Sequence, residues 1–312
     1  MTAATRVVVV GYASLDSSTS TPEFRGLDAT SILERPLVAT APSAGGIAHI
    51  VRAVRQTGAA ADAVSWIGAD DGGSRWQAAI HDSGCGTDGV SVAGTRTPTA
   101  TLIEVATGGT ICLFDPGDCH LDRLALDQAA LISTASVLLL TVAPSVITGQ
   151  ILDLLPSSAR LIWAVKRDEH AYPDDLVERL FERADIISFT RGERPWLTSG
   201  AIAPENRARR GTLVIETRGA DGVAWSFADA DDRAGSIGVE RVHADDTTGA
   251  GDTFIGSIAG LAASVLSLSD LSDTDLVALV TTASTAAGDV LRRRTSTGPK
   301  AGAPQKETLH VD

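Results

Sequence analysis

Short apolar, largely β-branched runs recur along this chain, and they constrain its fold more than any other feature. Residues 6–10 read Arg-Val-Val-Val-Val, and comparable runs occupy 137–141, 161–165, 186–189 and 213–216. Runs of this length with no polar alternation fit strands buried on both faces, which is the situation in a parallel sheet. Helical spacing fills several of the intervals, at 146–155 and 176–183. Strands alternating with helices predict an α/β architecture, a mostly parallel sheet with helices on both faces. Residues 17–43 are rich in Ser and Thr, and 97–114 carry two alternating runs, 99–105 and 110–114, around Thr107-Gly108-Gly109. That is a hairpin signal. These stretches predict a small β lid inserted into the main domain, from about 17–43 and 93–115.

Composition removes several classes of function. The formal net charge is -13, so neither nucleic acid nor an anionic membrane finds a basic footprint here. The expected partner is a small molecule. No run approaches the ~18 apolar residues of a membrane span, and no signal-peptide pattern opens the sequence, so the expected location is cytoplasmic. Cys85, Cys112 and Cys119 lack metal-type spacing and are odd in number, which suits reduced thiols. Lys166, Lys300 and Lys306 are the only lysines, and none follows a GxxxxGK[ST] loop. Gly11-Tyr12-Ala13-Ser14-Leu15-Asp16 contains one glycine, so the GxGxxG dinucleotide pattern is also absent.

Chemistry concentrates at residues 245–254, Asp-Asp-Thr-Thr-Gly-Ala-Gly-Asp-Thr-Phe. The alternating 239–243 stretch before it reads as a strand. Phe254, Ile255, Ile258, Leu261, Ala262, Val265 and Leu266 after it recur at helical spacing. Glycines at such a junction let an anion approach the unsatisfied first amides of the helix. Asp252 then stands where a carboxylate would repel a phosphate unless it has work to do. Accepting a proton from an attacking hydroxyl is one role, and complementing the helix dipole is the simpler alternative.

The run resembles the DTGAGD signature of the ribokinase-like (PfkB) carbohydrate kinase family, and the resemblance extends from Val7 to about Arg294. It implies a ribokinase-like three-layer α/β/α domain over 1–294, with 295–312 as a flexible tail. It further implies that the amides of Gly249, Ala250, Gly251 and Asp252 form an anion hole and that Asp252 is the catalytic base. Gly45 and Gly46 correspond to a glycine pair that touches the sugar. The Asn that follows in the family is replaced by His49 or Ile50, depending on the direction of counting, and His49 is the candidate substitute; a partly exposed helix residue is the alternative. Asp16 would accept substrate hydroxyls, or cap a turn.

Thr217-Arg218-Gly219-Ala220-Asp221-Gly222 resembles the family's TxGxxG nucleotide loop, with Arg218 available to phosphate. Thr190 and Glu193 fall on an Asn-x-x-Glu motif that organises magnesium through water. Lys166 is a phosphate or substrate contact, or a solvated loop lysine. The carboxylates of Asp70 and Asp71 are expected to form turns and caps. The family's sugar-binding Glu is missing from Val142-Ala143-Pro144. The implied cofactors are ATP and Mg²⁺, with a monovalent cation as a further candidate. The implied reaction is phosphorylation of a hydroxymethyl group on a sugar or nucleoside. A non-catalytic sugar or nucleoside sensor on the same fold is the alternative, and the lid strands are a candidate homodimer surface.

Overall fold

The structure, a computed structural model, describes residues 6–34, 41–106, 108–228, 230–242, 244 and 246–297. Thr107 of the hairpin turn, lid residues 35–40, His243 and Asp245 before the glycine turn, and residues 298–312 of the expected tail lie outside the described residues.

Six parallel strands and two antiparallel ones flank β1 (Arg6–Val10) in a nine-stranded sheet. Its parallel members are β4 (Ala60–Ile67), β5 (Gly86–Val92), β8 (Val137–Leu140), β9 (Arg160–Ala164), β10 (Ile186–Thr190) and β11 (Leu213–Thr217). The hairpin β12 (Val223–Phe227) and β13 (Ala230–Ile237) closes one edge antiparallel. The order is β13-β12-β11-β10-β9-β8-β1-β4-β5, so the direction of strand addition reverses beside β1. Ligands of open α/β sheets bind beyond the strand ends at such a reversal.

Period-two alternation divides β1 between two cores. Val7 and Val9 pack with α1 (Ile47–Gln56), α2 (Asp71–Asp82), α8 (Ala250–Ala262) and α9 (Asp273–Thr297) on one face. Val8 and Val10 pack with α3 (Leu126–Ser133), α4 (Ser145–Leu154) and α5 (Asp174–Arg183) on the other. This is the three-layer arrangement the βα rhythm predicts. Short α6 (Arg194–Leu197) and α7 (Pro204–Arg207) fill the connection between β10 and β11.

A second, four-stranded sheet has the order β3-β2-β6-β7, with β2 (Ala13–Thr21), β3 (Ser43–Gly46), β6 (Thr99–Val105) and β7 (Thr110–Asp115). The hairpin β6–β7 falls where alternation places it. Asp16, for which capping a turn was the alternative, is a strand residue of this second sheet, which begins at Ala13 rather than near 17.

Three further expectations change. Residues 239–242 form no strand: β13 has already spent its pairing by Ile237, opposite Val223, and alternation without a partner strand does not make a ladder. The helix through Phe254 stops at Ala262, its end held by the Arg160 guanidinium, which donates to the carbonyls of Ala262, Val265 and Leu266, and Leu266 is fully exposed. At the other end of the chain, α9 continues to Thr297, past the residue where the tail was expected to start. Asp70 behaves as a cap, accepting from Gly73 N at 2.7 Å at the start of α2.

Candidate active site

Close packing of two helices sets the site. A Cβ on Gly256 would lie 2.5 Å from Ile50 O, and one on Gly260 would lie 2.2 Å from Thr57 Oγ1. These glycines, four apart on one face of α8, let the helix press against α1. The N-terminus of α8 thereby meets the first turn of α1: a Cβ on Gly249 would stand 2.9 Å from the His49 ring. Ile50 points into the core and is 1% exposed, so of the two candidates for the missing Asn only His49 faces the site.

Gly249 is the N-cap of α8 in the left-handed conformation, φ 79°, and its carbonyl accepts the first helical bond from Thr253 N at 2.8 Å. No side chain caps the helix. A Cβ on Gly251 would meet nothing within 4 Å, so the first turn faces free space. Ala250 N donates to Thr247 O at 3.3 Å; the other first-turn amides, the positive end of the dipole and an approachable backbone together can cradle an anion. Asp246 holds the preceding turn by accepting from Thr248 N at 2.9 Å, and it is itself ion-paired to Arg294 from α9.

Asp252, in that first turn, lies 3.3 Å from Lys166 Nζ, which follows β9. Asp252, before burial is counted, is the main reason the Lys166 pKa is raised, with Glu193 adding to it. The ends of β9 and β10 and the start of α8 therefore converge on one lysine. Glu193 Oε2 accepts from Thr190 N at 2.7 Å and Thr190 Oγ1 at 2.9 Å. Among the described residues Oε1 carries no hydrogen bond, and no three His, Cys, Asp or Glu side chains converge as a metal site.

In the four-stranded sheet, Gly45 is required by contact: a Cβ there would lie 1.9 Å from Asp16 Oδ2. Gly46 has φ 58°, and a Cβ on it would meet Tyr12 O at 2.1 Å. Burial pushes the Asp16 carboxyl up to about 6, and the Ser14 hydroxyl, donating to it, opposes the rise. Asp252 adds to the rise. Burial likewise lowers the pKa of His49 and keeps its imidazole neutral near pH 7. Its Nε2 is buried and meets no hydrogen-bond partner among the described residues. A buried ring nitrogen without a partner costs stability unless something else satisfies it.

The sequence model described as pfkB family carbohydrate kinase matches residues 4–301. The chain belongs to this family. No curated protein sequence matches it. Solved structures share the fold at low identity. Arabidopsis thaliana ribokinase complexed with ribose and ATP is 19% identical with TM-score 0.72, covering 93% of each chain. Xylella fastidiosa fructokinase with bound ATP is 18% identical with TM-score 0.71, covering 92% of each chain. Methanocaldococcus jannaschii nucleoside kinase, described as an archaeal member of the ribokinase family, is 14% identical with TM-score 0.68 and 92% coverage of each chain.

In this pfkB-family chain the loop after β11 keeps its shape but not the cation expected of it. Gly222 has φ 93°, and a Cβ there would meet Ile237 O at 2.0 Å; Gly219 has φ 58°. Thr217 pairs in register with Thr190 at the neighbouring strand end. The Arg218 guanidinium, however, is taken up by Glu216, at 2.9 Å and 2.5 Å. Glu216 is 5% exposed on its side chain and is bound by Arg194 as well. Burial alone would raise its pKa, yet bonds from Arg194 and Arg218 carry it below the ordinary value. Arg218 thus neutralises a buried carboxylate instead of standing free for phosphate.

Asp246 and Arg294 had no role assigned from sequence. The Asx turn at Asp246-Thr247-Thr248 was a legible signal. Nothing in the sequence pairs it with a residue 48 positions later.

Proposed function

We propose that this protein is an ATP-dependent kinase acting on a hydroxymethyl group of a sugar or nucleoside-like acceptor. The observation that carries the reading is the uncapped, left-handed Gly249 start of α8 with Asp252 in its first turn, ion-paired to Lys166. Asp252 takes the proton of the acceptor hydroxyl as its oxygen attacks the γ-phosphorus, and ADP leaves. A positioned base contributes typically ~10² to 10⁴ in rate. The amides of residues 249–252 stabilise the charge on the transferred group, where losing one donor commonly costs roughly 2.7–4 kcal/mol. Lys166 lies between the base and Glu193 and supplies the positive charge that Arg218 does not.

Asp16, Gly45, Gly46 and His49 hold the acceptor, with Asp16 accepting from its hydroxyls and His49 Nε2 gaining the partner it lacks. Thr217, Gly219, Gly222 and Thr190 line the nucleotide side. Glu193 Oε1 fits a hydrated Mg²⁺, which prefers oxygen and keeps several waters; bound there, the ion would neutralise the phosphates. The four-stranded sheet acts as the lid that keeps water from the phosphoryl group. No helix of the described residues is long and apolar enough to cross a membrane. The reading places the enzyme in the cytoplasm, where ATP is available.

The test is ATP-dependent ADP release with Mg²⁺ over pentoses, hexoses, sugar phosphates and nucleosides. Acceptor-dependent turnover that falls at least ~10²-fold in Asp252→Asn is expected. Turnover that survives this substitution sinks the base assignment. Acceptor binding without turnover would instead make the protein a sensor.

A further inference from the structure

The acceptor side of the cleft has a chemistry that narrows its ligand. Strand register puts Asp16, Ala100 and Phe114 in one row across β2, β6 and β7, with Ser18, Leu102 and Cys112 in the next. Side chains two apart on a strand share a face, so all six lie on the same side of the lid sheet. That side faces the strand ends of the main sheet, because the Phe114 ring packs against Tyr12, just past β1, whose carbonyl accepts from Ile47 N at 3.1 Å where α1 begins. Phe114 is 38% exposed there. Its ring lies 5.2 Å from Tyr12, which stands edge-on to His120 at 4.8 Å.

Charge excludes one class of acceptor. None of the residues of β2, β3, β6 and β7 is Lys, Arg or His. The carboxylates in these strands are Asp16, Glu104 and Asp115, and Asp115 is paired with Arg96. Lys166, ion-paired to Asp252, serves the phosphoryl group being transferred rather than a phosphate on the acceptor. Within these strands a phosphorylated sugar would meet carboxylates and no cation.

Distance separates the remaining classes. Asp16 and Phe114 are two strand spacings apart, roughly 9.5 Å. A single sugar ring, built from bonds of about 1.5 Å, held by its hydroxyls at Asp16, ends over β6 and leaves Phe114 uncovered. A flat group attached to that sugar reaches the ring.

We propose that the acceptor is a nucleoside, an unphosphorylated sugar bound through its hydroxyls at Asp16 whose aromatic base stacks on Phe114 beside Tyr12. Because every base has a π-face, the site selects for the presence of a base rather than its identity. The assignment rests on the kinase reading for the transfer step, but the recognition can be measured without turnover.

Calorimetric titration of the full chain with adenosine, uridine, ribose and ribose 5-phosphate, each alone and with a non-hydrolysable ATP analogue, tests it. Both nucleosides should bind at least tenfold more tightly than ribose, and ribose 5-phosphate most weakly. Phe114→Ala should remove the nucleoside preference, while Phe114→Trp, which preserves a stacking face, should keep it. A preference surviving Phe114→Ala, equal binding of ribose and nucleosides, tighter binding of ribose 5-phosphate, or no binding by any of the four overturns the assignment. Nucleoside binding of the expected pattern with no ADP release from ATP upholds this recognition and overturns only the kinase reading.

Discussion

Replacing Gly249 with alanine tests the anion cradle at its tightest point. Two costs add. An L-residue forced to φ 79° pays about 1–2 kcal/mol for the left-handed conformation. The new Cβ would also stand 2.9–3.1 Å from three atoms of the His49 ring, so the ring or the helix start must shift by several tenths of an ångström. Overpacking of this kind adds typically 1–3 kcal/mol, for a total of roughly 2–5 kcal/mol. At about 2 °C per kcal/mol for a chain of this size, thermal denaturation should occur roughly 4–10 °C lower. Catalysis should suffer more, because misplacement approaching 1 Å at the amides costs ~10²-fold in kcat. Adding His49→Ala removes the contact but not the backbone cost, so the double variant should recover part of the stability of Gly249→Ala. Gly249→Ala with unchanged Tm and kcat would refute the description of Gly249 as a strained cap pressed against His49.

Three other outcomes are expected. Burial pushes the Asp16 carboxyl up to about 6 in the folded chain, from its ordinary value of 3.8. Its burial therefore costs nothing below about pH 4 and destabilises progressively as pH rises through 6. Asp16→Asn should raise Tm above pH 6 and leave it unchanged near pH 4, while the wild-type KM for the acceptor should rise as pH falls below 6. Lys166→Met should raise the KM for ATP about tenfold, as losing one partly solvated phosphate contact does, yet change urea stability by less than ~1 kcal/mol, because Lys166 is half exposed. Arg194→Ala removes the cation shared by Glu216 and Glu205. Breaking a fully buried pair costs 3–5 kcal/mol. Glu216 keeps Arg218, so a loss of about 2 kcal/mol in denaturant unfolding is expected, with acceptor KM unaffected.

How much was legible follows from the range of each interaction. The strands around Val7, Leu138, Ile162, Ile187 and Val214 were readable because a strand buried on both faces must be apolar throughout. The β6–β7 hairpin was readable from alternation around its glycines. Residues 239–242 misled because the same alternation carries no information about whether a partner strand is present. Leu266 misled for a related reason: helical spacing continued, but Arg160, a hundred residues away, took the terminal carbonyls.

By itself, the sequence determined the local geometry and the type of chemistry. Residues 249–252 form a continuous segment, and an uncapped helix start preceded by glycine is suited to an anion by its local geometry. Only tertiary structure decided which groups face that start. The glycines of α8 bring in His49 rather than Ile50, the end of β9 delivers Lys166, and α9 delivers Arg294 to Asp246. Arg218 was diverted to buried Glu216, and the register of the four-stranded sheet put Phe114 two strands from Asp16. Each of these depends on which surfaces pack together. A pattern read along one segment fixes backbone conformation, whereas the partners of a charge or a ring are fixed by chain crossings that no segment encodes alone.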